Sequence, residues 1–289
     1  MFVLKISTEI NSTAAHIGAE KAVEAIAKAG FDHWDFSMFA MCKHDIWNGT
    51  VEKTTHPLSG PDYLKFARTL KKIGLDNGIT CNQSHAPFPC TVAILDYLKR
   101  AIECTAEAGG TYCIIHPWNY YTPEQNAQMY FELLPFAKEH NIKIATENMW
   151  CWDKEKDEAC FAACSNPESF KAHLDIVNDD DFVACLDIGH AEMRGLGTSA
   201  VEMIEVLGDK LQCLHIHDVD KWHDSHQIPF SLNVDFEVVV RKLKEINYKG
   251  EFTLEASNYL KAYNADNVYA GVSALANSAK RLADMFENC

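Results

Sequence analysis

The chain has 289 residues, 47% apolar and 23% charged, a balance ordinary for a globular protein long enough to bury a core without covalent staples. No run of about 18 apolar residues occurs, so no membrane span is expected. The net charge is −15, from 26 basic and 41 acidic side chains with no basic run, which argues against a nucleic-acid partner, because such binding rests on clustered Lys and Arg.

Short apolar runs alternate with longer amphipathic ones along the whole chain. The start lacks a basic segment followed by a long apolar stretch, so residues 2–6 read as a first strand rather than a signal peptide. Helix Ala19–Ala29 follows, closed by Gly30. A second strand is predicted at 32–36, then a long loop at about 37–60. Helix 63–73 carries Leu64, Ala67, Leu70 and Ile73 at helical spacing and meets Gly74. Next come a strand at 79–84, a helix at 92–108 before Gly109-Gly110, and strands at 111–115 and 142–147. A second long loop, about 148–165, precedes strands at 182–187 and 211–216. Helix 236–246, a strand at 251–256 and a final helix at about 265–286 complete the pattern.

Eight β-then-α units without a Pro/Gly/Ser-rich linker indicate one (β/α)8 barrel over 1–289. A doubly wound sheet fits less well, since the first turn, Ser7-Thr8-Glu9-Ile10-Asn11, has no glycine-rich fingerprint. Both long loops follow strands and belong at the catalytic mouth, where they can act as lids. Eleven cysteines with no C-x-x-C pair and no secretion signal suggest reduced thiols and a cytoplasmic protein. Cys151, Cys160 and Cys164 share one loop; free thiols are favoured there over a zinc site.

The strand ends carry the chemistry. His85 follows the third strand, His116 ends the fourth, Glu147 the fifth, Asp187 the sixth, His215 the seventh and Glu255 the eighth. His190 lies three residues after Asp187, and His217, Asp224 and His226 follow the seventh strand. Parallel barrel strands bring these ends to one ring, so six consecutive strands project potential ligands into one small volume. A lone His beside an apolar strand is usually a packed residue; six together are not explained that way. Buried carboxylates are costly, and a divalent cation is a natural compensation. Mixed carboxylate and imidazole donors suit Mn2+, Zn2+, Mg2+, Co2+ or Fe2+. Spacing leaves both His215 and His217 open as the seventh-strand donor.

These motifs, spanning 85 to 255, resemble the xylose isomerase-like barrel superfamily, especially its sugar phosphate isomerase/epimerase branch. The resemblance to its ketose 3-epimerases implies one metal held by Glu147, Asp187, His215 and Glu255, with His190 on the substrate. His215 is favoured because relatives show His-x-Lys-Asp or His-x-Asn-Asp at this point. The set also resembles the endonuclease IV-type nucleases with three zinc ions, whose ligands match His85, His116, Glu147, Asp187, His190, His215, Asp224, His226 and Glu255. Where those enzymes have a Gly-Glu-Gly turn, this chain has Phe230-Ser231-Leu232.

The resemblance therefore implies a metal-dependent isomerase or epimerase of a small sugar, sugar phosphate or polyol, working by proton transfer through an enediolate. Glu147 and Glu255 would exchange the proton, while His85, His116, His190, His226 and Trp118 contact substrate. His85, His116, His190, Asp224 and His226 could instead hold further metal. The alternatives are a phosphodiester hydrolase, a dehydratase-type lyase, and a sugar or metal binder without turnover. The expected partner is a carbohydrate, with neither nucleic acid nor membrane. A homo-oligomer stays open.

Overall fold

The computed structural model describes residues 4–289. Eight strands run around a ring in chain order: Ile6–Thr8, His33–Ser37, Thr80–His85, Tyr112–Ile114, Lys143–Glu147, Phe182–Asp187, Leu211–His215 and Phe252–Leu254. The second to the seventh form one continuous parallel sheet, and the first pairs in parallel with the eighth. The bridges Glu9↔Asp35 and Ile216↔Leu254 join these two pieces on either side. This is the (β/α)8 barrel that the alternating pattern predicts.

Helices cover the outside because each offers one apolar stripe to the strands. Ala19–Ala29 buries Ala22, Val23 and Ile26 and ends at Gly30, whose φ of +94° allows its N–H to reach the last carbonyls. Tyr63–Asp76, Leu95–Ala108, Phe236–Glu245 and Val268–Asn288 occupy the other predicted positions. Pro123–Glu139 begins with a reciprocal capping box between Thr122 and Gln125. Pro167–Val177 and Ala200–Leu207 are capped by Asn166 and Ser199. The main core lies between strands and helices. Inside the barrel a smaller plug of Ile114, Ala145, Val183, Cys185 and Cys213 supports the mouth from below. None of the described helices is long and apolar enough to cross a membrane.

Two details differ from the sequence expectation. The first strand is Ile6–Thr8, not 2–6, of which residues 2 and 3 lie outside the described part. The apolar run at the start places the expectation too early. The paired segment is more polar because its hydroxyls have partners: Ser7 Oγ reaches Asn82 Oδ1 at 2.8 Å and Thr8 Oγ1 the Leu254 carbonyl at 3.2 Å. The two long loops also contain antiparallel hairpins, Cys42–Asp45 with Thr50–Lys53 and Cys151–Asp153 with Glu158–Cys160. Cys151 faces Cys160 across the second hairpin, and both are free thiols, as is Cys164. Among the described residues, these three cysteines join no cluster able to hold a metal.

Candidate metal centre

Strand register delivers the central donors. Asp187 lies beside His215, and Glu147 beside Cys185 on the sixth strand; Glu255 stands one residue past the eighth strand. One donor atom from each of Glu147, Asp187, His215 and Glu255 falls within 4.8 Å of all the others. Glu147 is 1% exposed, and its Oε2 lies 3.0 Å from His215 Nδ1, 3.1 Å from His116 Nε2 and 3.7 Å from His85 Nε2. His215 Nδ1 is also 3.4 Å from Glu255 Oε2. Yet His215 Nδ1 and Glu147 Oε1 are buried without a hydrogen-bond partner among the described residues. Two buried polar atoms left unpartnered where donors converge suit a shared cation, since a buried polar atom otherwise needs a partner.

The two glutamates are electrostatically unequal. Burial alone would raise Glu147, but the imidazoles of His215 and His116 outweigh it and hold the carboxylate well below its usual range. Burial pushes Glu255 up to about 8, with Glu147 adding to the rise and His215 and His226 opposing it. Burial also works against charge on His215, but Cys185 and the carboxylates of Glu147 and Glu255 raise it well above an ordinary imidazole.

A second cluster sits beside the first. His190 Nε2 lies 3.4 Å and His226 Nε2 3.1 Å from Asp224 Oδ2. The hydrogen-bond network assigns their tautomers: His190 Nδ1 donates to the Asn148 carbonyl at 2.9 Å and His226 Nδ1 to the Glu255 carbonyl at 2.6 Å. Backbone acceptors on Nδ1 leave Nε2 as the donor toward a metal, the usual arrangement around a ligating imidazole. His217 belongs to this cluster by distance, but its ring is stacked on His226 at 3.8 Å and 16°. The in-plane lone pairs of two parallel rings run side by side and do not converge on one ion. His217 Nε2 instead meets both oxygens of Asp187, at 3.0 and 3.1 Å. A third grouping, His85, His116 and Glu147, shares Glu147 with the first. Burial, then His116, keeps His85 well below an ordinary imidazole, so it is neutral and available as a donor.

Four supporting residues escaped the sequence reading. Asp35, fully buried at the second strand, lies 3.3 Å from His215 Nε2 and accepts from Gln83 Nε2 at 2.8 Å. Asn148 clasps the Asp187 backbone on both sides, at 2.8 and 2.9 Å. The Asp218 carboxylate accepts the N–H groups of Val219, Ser231, Leu232 and Val234 at 2.8–3.0 Å, and so fixes the loop that carries Asp224 and His226. Gly189 leaves room for His217: a Cβ there would stand 2.0 Å from the His217 ring. Short polar residues at strand ends are common, and only their contacts distinguish these.

Above the donors opens a cavity of about 450 Å³. His85, His116, Glu147, His190, Asp224, His226 and Glu255 line its floor, and Phe39, Phe88, Tyr120, Trp150 and Trp152 its walls. Trp118, expected against substrate, stands behind this wall, 9% exposed and packed edge-on to Tyr120 at 5.5 Å.

A family model described as xylose isomerase-like TIM barrel matches residues 23–283. The chain belongs to this family. An uncharacterized protein of Methanocaldococcus jannaschii, MJ1311, is 27% identical over 269 residues, covering 86% of this chain and 82% of its own. Among solved structures, a D-tagatose 3-epimerase-like protein superposes with a TM-score of 0.72 at 19% identity over 99% of both chains. The IOLI protein with a bound zinc atom does so with a TM-score of 0.72 at 17% identity, again over 99% of both. These likenesses place the xylose isomerase-like fold over essentially the whole described chain.

Proposed function

We propose that this family member is a metal-dependent isomerase or epimerase of a sugar or polyol, acting by proton transfer beside a carbonyl. The observation that carries the reading is the convergence of donor atoms of Glu147, Asp187, His215 and Glu255 within 4.8 Å of one another, with Glu147 and Glu255 lining the cavity. The donor set fits a divalent ion, and relatives by fold include an epimerase-like protein and a zinc-bound one. A bound ion would supply Lewis-acid stabilisation of negative charge developing on the substrate oxygens. Glu147 and Glu255 then serve as the acid/base pair: one carboxylate takes the carbon-bound proton and the other carboxylic acid returns one, so no net proton is consumed. His85, His116, His190 and His226 orient hydroxyls. Mn2+, Zn2+, Mg2+ and Co2+ all suit the set.

The second and third clusters support a rival reading, an endonuclease IV-like phosphodiester hydrolase with several ions. Metal analysis separates the two. Purified protein loaded with Mn2+ or Zn2+ is assayed for metal per chain and for proton exchange on a panel of ketoses and polyols. One tightly held ion with solvent deuterium entering a ketose supports the isomerase. Three ions with cleavage of an abasic duplex overturn it.

A further inference from the structure

We propose that the cavity takes an uncharged sugar that keeps its carbonyl carbon free and bears a second ring through a glycosidic oxygen on another carbon, and that this outer ring lies on a shelf formed by Trp47 and Tyr120. This rests on the isomerase reading above and adds the class of its substrate.

The cavity chemistry comes first. Among the described residues, no Lys or Arg lines its floor or walls. A phosphorylated sugar would normally find such a partner, because phosphate recognition rests on charge-assisted contacts. The walls are aromatic instead, offering flat apolar faces that match the C–H face of a sugar ring.

The shelf continues this wall outward. Tyr120 lines the cavity, is 63% exposed, and meets Trp47 at 5.9 Å and 62°. Trp47 also contacts Trp118 at 5.9 Å and 66°. Trp47 is 77% exposed, whereas Trp34 is fully buried and Trp118 nearly so. Exposing so large an apolar ring next to a binding cavity is a mark of an interaction surface.

Local structure holds Trp47 in this position. It sits at the tip of the hairpin Cys42–Asp45/Thr50–Lys53, and the Asp45 carboxylate accepts its N–H and that of Asn48, each at 3.0 Å. The hairpin is tied to the barrel by His44 Nδ1, 2.7 Å from the Pro89 carbonyl, beside the wall residue Phe88. Two separate anchors thus bring an exposed indole to the rim. Tyr120 lines the cavity but Trp47 does not, so a single sugar ring seated over Glu147 and Glu255 would leave the Trp47 indole bare. A ring joined to it through a glycosidic oxygen and directed outward would cover it.

The test uses the metal-loaded full chain and isothermal titration with four probes: a ketohexose, its phosphate, and two disaccharides that carry this ketohexose at the reducing end with its carbonyl carbon free. At least one disaccharide is expected to bind about tenfold or more tightly than the parent ketohexose, the scale of one ring-stacking contact. In Trp47→Ala and Tyr120→Ala that ratio falls toward one. Circular dichroism and metal content check that each variant remains folded and loaded. Equal affinity for ketohexose and disaccharides, tightest binding of the phosphate, or a ratio unchanged in both variants overturns the proposal. So does a dimer by light scattering that Trp47→Ala dissociates, which would assign the shelf to a second copy of the chain. The isomerase reading fails separately: it falls if the loaded protein exchanges no proton on any hexose, ketose or disaccharide. Equal turnover of ketoses and of disaccharides carrying them at the reducing end leaves that reading intact and removes only this one.

Discussion

Replacing Glu147 or Glu255 with Gln separates ligation from proton transfer, because Gln keeps the size and one oxygen donor but loses the basic carboxylate. Each variant should fold, bind metal at raised concentration, and lose at least about 10²-fold in turnover and in solvent deuterium exchange. Near-normal turnover at metal saturation would reduce both residues to ligands. Loading should also depend on pH. Burial pushes Glu255 up to about 8, and against burial Asp224 lifts His226 to about 9. Both therefore carry protons at neutral pH that a cation entering their clusters must displace. Apparent Mn2+ affinity should accordingly rise from about pH 6 to 9, with proton release detectable by titration in buffers of different ionisation enthalpy. A flat profile would contradict this. Asp35→Asn addresses orientation: it weakens the acceptor facing His215 Nε2, and metal affinity should drop about 10–100-fold, with little change in far-ultraviolet dichroism. The main donors were legible in sequence because His, Asp and Glu at successive strand ends are conspicuous. Asp35, and the pairing of His217 with Asp187 rather than a metal, are not legible there. Their roles rest on 3.0–3.3 Å contacts to Asp187 and His215, across 30 and 180 residues of chain.

At the scale of elements, the helices with strong apolar stripes and glycine stops were placed within a few residues, Ala19–Ala29 without error. In sequence the two hairpins look like plain loops. Their strands are only three or four residues long, too short for alternation to stand out, and Thr50–Lys53 is exposed along its whole length. The loop after the seventh strand depends on one side chain. Asp218→Ala leaves four backbone N–H groups without their acceptor and should cost about 2–3 kcal/mol, measured by urea unfolding, while loosening Asp224 and His226 together. Gly189→Ala tests the packing beneath His217. The added methyl must displace that ring, so a loss of about 1–3 kcal/mol is expected. An unchanged melting curve would show that the ring can move aside freely.

For the whole molecule, eight parallel strands explain why residues from 85 to 255 share one pocket, and the strand-helix rhythm was enough to expect this. The charge of −15 sets an expectation at the same scale: no appreciable binding to an abasic duplex at physiological salt, checked by fluorescence anisotropy. Binding that persists there would promote the hydrolase. The seams of the ring have a further consequence. The first strand meets the second, and the seventh the eighth, through single bridges near the mouth, supported by Ile10 N to Asp35 O at 3.1 Å and Glu255 N to Ile216 O at 3.0 Å. The central donors span the second of these joints, with His215 on one side and Glu255 on the other. A cation held there would act as a latch across the closure of the ring. Folding and loading would then be thermodynamically linked, with about 2.7 kcal/mol added at a free metal concentration 100 times Kd. Amide hydrogen exchange at Ile216 and Glu255 should slow on loading more than exchange in the middle of the six-stranded sheet, and chelation should reopen this joint first.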